Sequence, residues 1–424
     1  MKIKNFFLSV TTLFFLFFCF SINSFAQETG KNIISSVLEI QQYERAIHIM
    51  VMLLAGFGFL MVFVKKYGRS ALTATFLLVS VAIPFYFLLS SSGAFGGSNN
   101  EISTLILAEF GAASLLIAAG ALLGRLKMYQ YIVLSLLFIP AYIINEWIVV
   151  GNGLGIMKQG IADTGGSIVI YAFGALFGVA AAFSMTTEKE METPVKSDAT
   201  SDKFSMLGSI VLWIFWPSFC AALVPVEAIP HTIVNVFFAL SGSTLITYIL
   251  STTIRGKISV SDMANAALAG GVAIGATCDH ANHIAALIIG LLAGAISTIG
   301  FTILQDKQKN KIRTVDTCGV TNLHGIPGIF GGLASIPLIG GLNIGNQFTG
   351  ILITILSAVI LGLFSGKVIQ LFGRRQEAYD DAEEFVDTEE TGEEELLALE
   401  YYITGKNAIE KKKVNEIMGY IDSE

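Results

Sequence analysis

Two side chains in this sequence stand at matched places in two copies of one segment, and both are types that handle protons and hydrogen bonds. The first copy, Asp163 to Gly178, reads DTGGSIVIYAFGALFG; the second, Asp316 to Gly331, reads DTCGVTNLHGIPGIFG. They align without a gap, D-T-x-G in front and F-G behind, so Tyr171 takes the place that His324 holds in the second copy. An imidazole donates through one nitrogen, accepts through the other, and titrates near neutral pH. A phenol donates and accepts too, but with an unperturbed pKa of about 10, raised further by burial, it rarely ionises. Such a pair can hydrogen-bond a small molecule while relaying protons poorly.

The elements that must position this pair are membrane helices. The chain has 424 residues, is 53% hydrophobic and only 14% charged, and has a mean hydropathy of +0.68. A soluble domain of this length does not carry so many apolar runs. Residues 1–26, MKIKNFFLSVTTLFFLFFCFSINSFA, read as a secretory signal peptide cleaved before Gln27; the rival reading is an uncleaved first helix. About eleven spans of ~20 residues follow. They begin near Tyr43, Ala71, Ile102, Tyr129, Gly165, Phe204, His231, Asp262, His283, Cys318 and Gln347. The expected fold is an all-α polytopic membrane protein, with a membrane domain over residues 27–372 and an acidic tail over 373–424.

Lysine and arginine fix the orientation. Lys65, Lys66 and Arg69 follow span one, Arg125 and Lys127 span three, and Lys189, Lys196 and Lys203 span five. Arg255 and Lys257 follow span seven, Lys307 to Arg313 span nine, and Arg374 and Arg375 span eleven, whereas the alternate loops hold little more than Lys158. The positive-inside rule puts the basic loops and the C-terminus in the cytoplasm and the mature N-terminus outside. Asp163 then opens a helix entering from outside and Asp316 one entering from inside. This is a 5+5 inverted repeat plus one helix, the arrangement that places a site between halves near the midplane. Tyr171 and His324 fall about 12 Å into their helices at 1.5 Å per residue. Ionisable groups at that depth are expensive and point to function.

The glycines of both copies allow close helix contact, and Pro327 interrupts the backbone ladder just after His324. Non-helical backbone at that depth is tolerated only when buried in protein or lining a cavity. The bland alternative is glycine packing around a buried, hydrogen-bonded histidine. A symmetric pair of such helices favours a pathway.

The two copies, LWIFWPSF (Leu212 to Phe219), NAALAGGVAIG (Asn265 to Gly275), IHIMVMLLAGFGFLMVFVKKYG in span one and Asn145-Glu146 in span four resemble the Rh branch of the ammonium transporter/Rh family. The resemblance runs from about Tyr43 to about Phe372. It implies a homotrimer in the plasma (inner) membrane, with one pore per subunit carrying ammonia or ammonium. By position it makes Asp163 the aspartate near the outer vestibule, Phe110 and Phe219 the gating phenylalanines, and His324 the second of the family's paired pore histidines. The first of that pair falls on Tyr171, where this sequence departs from the pattern. A bare cation in an apolar pore is very costly, so the low-energy route leaves the proton behind and passes neutral ammonia. Tyr171 is expected to hold His324 in one tautomer by a hydrogen bond.

Asp316, Asn322 and Glu146 read as structural polar residues, Asp316 as a helix cap, and Glu109 and Glu146 as intramembrane pairs fixing helix packing. Thr277-Cys278-Asp279-His280-Ala281-Asn282-His283 holds metal-ligand types but no second cluster, so it reads as a vestibule turn with no metal. Cys220, Cys278 and Cys318 lie far apart in sequence and imply no disulfide framework. Trp213, Phe215 and Trp216 read as packing and interfacial aromatics. The polar loop Thr186 to Asp202 reads as a flexible linker, and the tail as a solvated segment or a cytoplasmic regulator contacting other subunits. No nucleotide fingerprint or nucleophile–base arrangement is present, so neither an enzyme nor a cofactor is expected. Besides an ammonia channel, two alternatives stand: conduction of another neutral gas such as carbon dioxide, and a non-conducting ammonium sensor plugged by Tyr171.

Overall fold

The computed structural model describes residues 33–93, 95, 100–157 and 160–385. The signal-peptide segment, Lys158 and the tail beyond residue 385 lie outside the described residues. Two units are distinguished, one ending at Tyr43 and one running from Glu44; the first is described only from Ile33, where helix α1 (Ile33–Val51) begins.

All regular structure among the described residues is helical. After α1 a π-helical stretch, Met52–Phe57, and two short turns carry the chain to Phe63. There follow α2 (Gly68–Ser91), α3 (Glu101–Leu122), α4 (Met128–Val149) and α5, made of a π-helical stretch, Ser167–Ala172, and an α-helix, Phe173–Met185. The second half holds α6 (Ala199–Cys220), α7 (Ile229–Arg255), α8 (Val260–Ile274) and α9 (His283–Ile312). Next comes α10, again π-helical (Thr321–Gly325) and then α-helical (Ile326–Leu338), and last α11 (Ile344–Gln370). Nine of the described helices are long and apolar enough to cross a membrane. The eighth segment is not the ~20-residue span the sequence suggests. It ends at Ile274, before the Thr277–Asn282 turn, and at 1.5 Å per residue covers only about 22 Å.

The inverted repeat is visible atom by atom. Asp163 O accepts from Gly166 N at 2.9 Å, and Asp316 O from Gly319 N at 3.1 Å. Both glycines take left-handed backbone, φ +77° and +64°, which suits a residue without Cβ. Gly165 N–H then donates to Gly275 O at the end of α8 (2.7 Å), while its counterpart, Cys318 N–H, donates to Gly120 O on α3 (3.2 Å). Further along, a Cβ on Gly178 would stand 2.5 Å from Ala118 O of α3, and one on the equivalent Gly331 2.2 Å from Ala273 O of α8. In a bilayer the lipid tails are as apolar as the side chains, so such backbone approach, with dispersion contacts all around, holds helices together. The halves cross where Gly328 meets Ser167 O, 2.3 Å from where its Cβ would be.

The basic face is built by segments the sequence left loose. Glu188–Glu192 is a short helix opened by a Thr187/Glu190 capping box, not a flexible linker. Its Glu190 forms a buried ion pair with Arg125 at 3.6 Å, and Arg125 also donates to Ala121 O (2.6 Å) and Thr317 Oγ1 (3.2 Å). The described part of the tail docks on its own chain. Tyr379 N–H donates to Gly124 O at 2.8 Å and its side chain is buried. Asp381 accepts from Arg69 N (2.8 Å) and Ser70 N (3.0 Å), capping α2; Glu384 accepts from Met128 N (3.0 Å), capping α4. A carboxylate at an exposed N-terminus satisfies orphan amides and the helix dipole together.

Candidate functional site

Both halves aim a carboxylate at the start of a broken helix. The Asp163 side chain reaches past the Gly166 turn to accept from Ile168 N (3.0 Å) and Val169 N (2.8 Å), and Asp316 accepts from Val320 N and Thr321 N, each at 2.9 Å. Neither aspartate stands next to the first helical residue. Each caps from behind a glycine turn, and the helix it caps starts as a π turn. Tyr171 lies in the first of these π turns and His324 in the second. A π turn widens the helix and is common at functional sites. In α10, Pro327, lacking an N–H, comes just after the π turn, where the helix changes from π to α.

The two π turns bring their central side chains together. Tyr171 and His324 stack with centroids 5.8 Å apart and planes inclined 17°. Tyr171 Oη and His324 Nδ1 are buried and make no hydrogen bond, so the expected Tyr–His hydrogen bond is not formed. The column extends both ways. Tyr171 faces Phe219 (6.1 Å), Phe219 faces Phe110 (4.5 Å), and His324 faces Phe57 (6.3 Å). All five rings are buried.

Cavities flank the column. On one side, about 400 Å³ is lined by Phe110, Asp163, Glu146, Tyr142, Thr164 and His280. On the other, about 20 Å³ beside His324, Phe57 and Cys318 lies next to about 440 Å³ lined by Asp316, Cys318, Thr321 and Lys309. Glu146 accepts from Tyr86 Oη (2.9 Å) and Tyr142 Oη (3.1 Å), whereas both oxygens of the fully buried Glu109 lack a partner, so the pairing expected of Glu109 is not there. Asn322 is buried with both amide atoms unpaired, against Gly300, whose Cβ would come within 2.6 Å of Oδ1.

The Cys278–His283 turn is tied to the site. Asp279 accepts from Thr164 Oγ1 at 3.0 Å, and the Asn235 amide donates to Cys278 O and Ala281 O at 2.9 and 2.6 Å. Among the described residues no three or more His, Cys, Asp or Glu side chains are placed to hold a metal ion. Trp216 is not interfacial. It is buried and its ring lies 5.4 Å from Tyr171. Phe57 and Trp216 are the column neighbours that sequence reasoning missed. Their only signal was membership of the aromatic motifs in spans one and six.

A bundle of membrane-length helices, folded as two inverted halves around a buried column between two cavities, is a multi-span membrane protein of transporter architecture. The family model described as Ammonium Transporter Family matches residues 5–395. The chain is 35% identical over 366 residues to ammonium transporter Rh type A of Bos taurus, covering 82% of this chain and 84% of that protein. It also superposes on the solved structure of Nitrosomonas europaea Rh50, of the Rhesus protein family of channels, with TM-score 0.81 and 48% identity, over 88% of this chain and 100% of that one. Saccharomyces cerevisiae Mep2, 16% identical with TM-score 0.70 over 85% of this chain and 97% of that one, shares the fold. The chain belongs to the ammonium transporter family, in its Rh branch.

Proposed function

We infer that the protein conducts ammonia across the plasma (inner) membrane, recruiting ammonium at the outer cavity and passing the neutral molecule along the ring column. The observation that carries this is the unbroken series Phe110, Phe219, Tyr171, His324, Phe57 between a cavity with two carboxylates and one bounded by Asp316. Carboxylates at the mouth favour a cation there. A column of buried rings penalises a bare charge far more than a neutral molecule, so the proton stays outside. Phe110 and Phe219, in contact at 4.5 Å, act as the gate that must swing for passage. Tyr171 Oη and His324 Nδ1, both unpaired, are free to take the hydrogen bonds a passing ammonia offers. Asp163, Asp316, Asn322 and Glu146 hold the broken helices and helix contacts around the column. The protein works as a homotrimer with the basic face and C-terminus in the cytoplasm.

A second reading is favoured by the stacked, unbonded Tyr–His pair, which offers no proton relay: conduction of another neutral gas, carbon dioxide in particular. The test is stopped-flow internal pH in proteoliposomes after an ammonium pulse, for wild type, Tyr171→His and His324→Ala. Alkalinisation faster than in empty liposomes and slowed in His324→Ala supports ammonia conduction. Wild-type rates equal to empty liposomes, restored only by Tyr171→His, sink it in favour of sensing or another gas.

A further inference from the structure

Cys220 and Cys278 are distant in sequence, but the fold brings them together. Cys220 is the last residue of α6, immediately after Phe219, and Cys278 lies in the turn between α8 and α9. The two thiols lie against the same pair of backbones, and both are sealed from solvent, at 1% and 0% exposure. Independent contacts place them around one point. A Cβ on Gly165 would stand 2.8 Å from Cys220 Sγ and 3.0 Å from Gly275 Cα, and the Cys278 thiol donates to Gly275 O at 3.5 Å. Both sulfurs therefore flank the Gly165–Gly275 backbone crossing.

The side of the membrane gives the pair its chemistry. Lys189 and Lys196 precede α6 and Lys203 lies near its start, while Arg255 and Lys257 precede α8 and Lys307 to Arg313 stand at the end of α9. The positive-inside rule puts both thiols at the outer end, where disulfides form and persist. Cys318, by contrast, lines the cavity on the basic face. In reducing surroundings a buried thiol pair is inert packing; on the oxidising side it is a target for thiol–disulfide exchange while the chain folds.

We propose that Cys220 and Cys278 form a disulfide in the mature protein, made by exchange with an extracytoplasmic disulfide-carrying oxidant before the turn packs down. One cysteine thiolate attacks the oxidant's disulfide, giving a mixed disulfide and releasing one oxidant thiol. The other thiolate attacks the protein sulfur of that mixed disulfide and expels the second. The protein loses two protons and two electrons, and the oxidant becomes a dithiol. The bond ties the end of α6, with Phe219, to the turn that carries Asp279 and His280 at the outer cavity. This rests on the outward placement of that end and not on what the column conducts.

The test is peptide mapping by mass spectrometry of the protein from its membranes, denatured in excess alkylating agent without reductant. The expected result is a Cys220 peptide joined to a Cys278 peptide, Cys318 alkylated, and a melting temperature that falls on reduction in wild type but not in Cys220→Ser or Cys278→Ser. Cys220 and Cys278 alkylated as fully as Cys318, even after oxidised glutathione is added to the solubilised protein, overturns the proposal, as does linkage to a different cysteine. Orientation is checked separately with Leu154→Cys and a membrane-impermeant thiol reagent. Labelling from the outside with free Cys220 and Cys278 rejects the disulfide alone; labelling only from the inside rejects the placement on which the proposal rests.

Discussion

Tyr171 and His324, equivalent residues of the two inverted halves, stack at 5.8 Å with their planes nearly parallel and no hydrogen bond between them. Each reaches the other because its helix begins with a π turn behind a left-handed glycine. The phenol hydroxyl makes no hydrogen bond at rest, while the ring packs against Trp216, Phe219 and His324.

Tyr171→Phe is therefore expected to keep the fold with equal or higher stability, since it removes a buried hydroxyl that has no hydrogen-bond partner. Tyr171→Ala opens a cavity costing about 3–5 kcal/mol, as other buried aromatic truncations do. Thermal unfolding in detergent compares them. Tyr171→Phe also separates roles in flux: a rate equal to wild type excludes the hydroxyl from conduction, and a tenfold fall assigns it a part.

Gly331→Ala pushes a Cβ to 2.2 Å from Ala273 O, where no flexible side chain can give way. The halves must shift, at about 1–3 kcal/mol or more, and both folded yield and flux are expected to fall. Gly340→Ala, with nothing within 4 Å, is the matched control and is expected to behave as wild type.

Asp381 caps α2 from more than 300 residues away in sequence. Asp381→Ala is expected to cost about 0.5–2 kcal/mol, the usual range for a lost N-cap. Hydrogen exchange should speed at the amides of Arg69 and Ser70 while those of α3 stay protected. Unchanged exchange at both amides would mean that the tail segment does not dock in solution.

The same segment carries a pH dependence. Arg375, bonded to Glu383, holds that carboxyl below the usual carboxylate range, and Lys189 does the same for Glu377. A carboxyl whose pKa is lower when docked stabilises docking above its free value, about 4.3, and loses that contribution as pH falls through the docked value. Exchange in residues 377–385 is expected to be flat from pH 8 to about 5, after correction for intrinsic rates, and to rise below about 4.

Glu190→Gln leaves the buried Arg125 without its counter-charge. Removing one partner of a buried pair costs about 3–5 kcal/mol. A large drop in melting temperature is expected for Glu190→Gln, with partial recovery in Arg125→Met/Glu190→Gln, where no charge remains unpaired.

The sequence by itself determined the class, the span positions and the inverted repeat, because each is written in local terms. Runs of apolar residues of bilayer length, basic loops on alternate sides and a gapless D-T-x-G copy need no partner to be read. Even the pairing of Tyr171 with His324 follows from the repeat, since symmetric halves meet at equivalent residues. What only the tertiary structure decided depends on contacts between distant segments. The eighth span is short because its turn folds back onto Thr164 through Asp279. The loop after span five is ordered because Glu190 finds Arg125, and residues 377–385 are docked because Asp381 and Glu384 find amide groups left unpaired by α2 and α4. Cys220 and Cys278 come to border one point only where Gly165 and Gly275 cross. Ring stacking replaced the expected Tyr–His hydrogen bond for the same reason: the directions of two side chains are set by the packing of both helices, and neither segment alone encodes it.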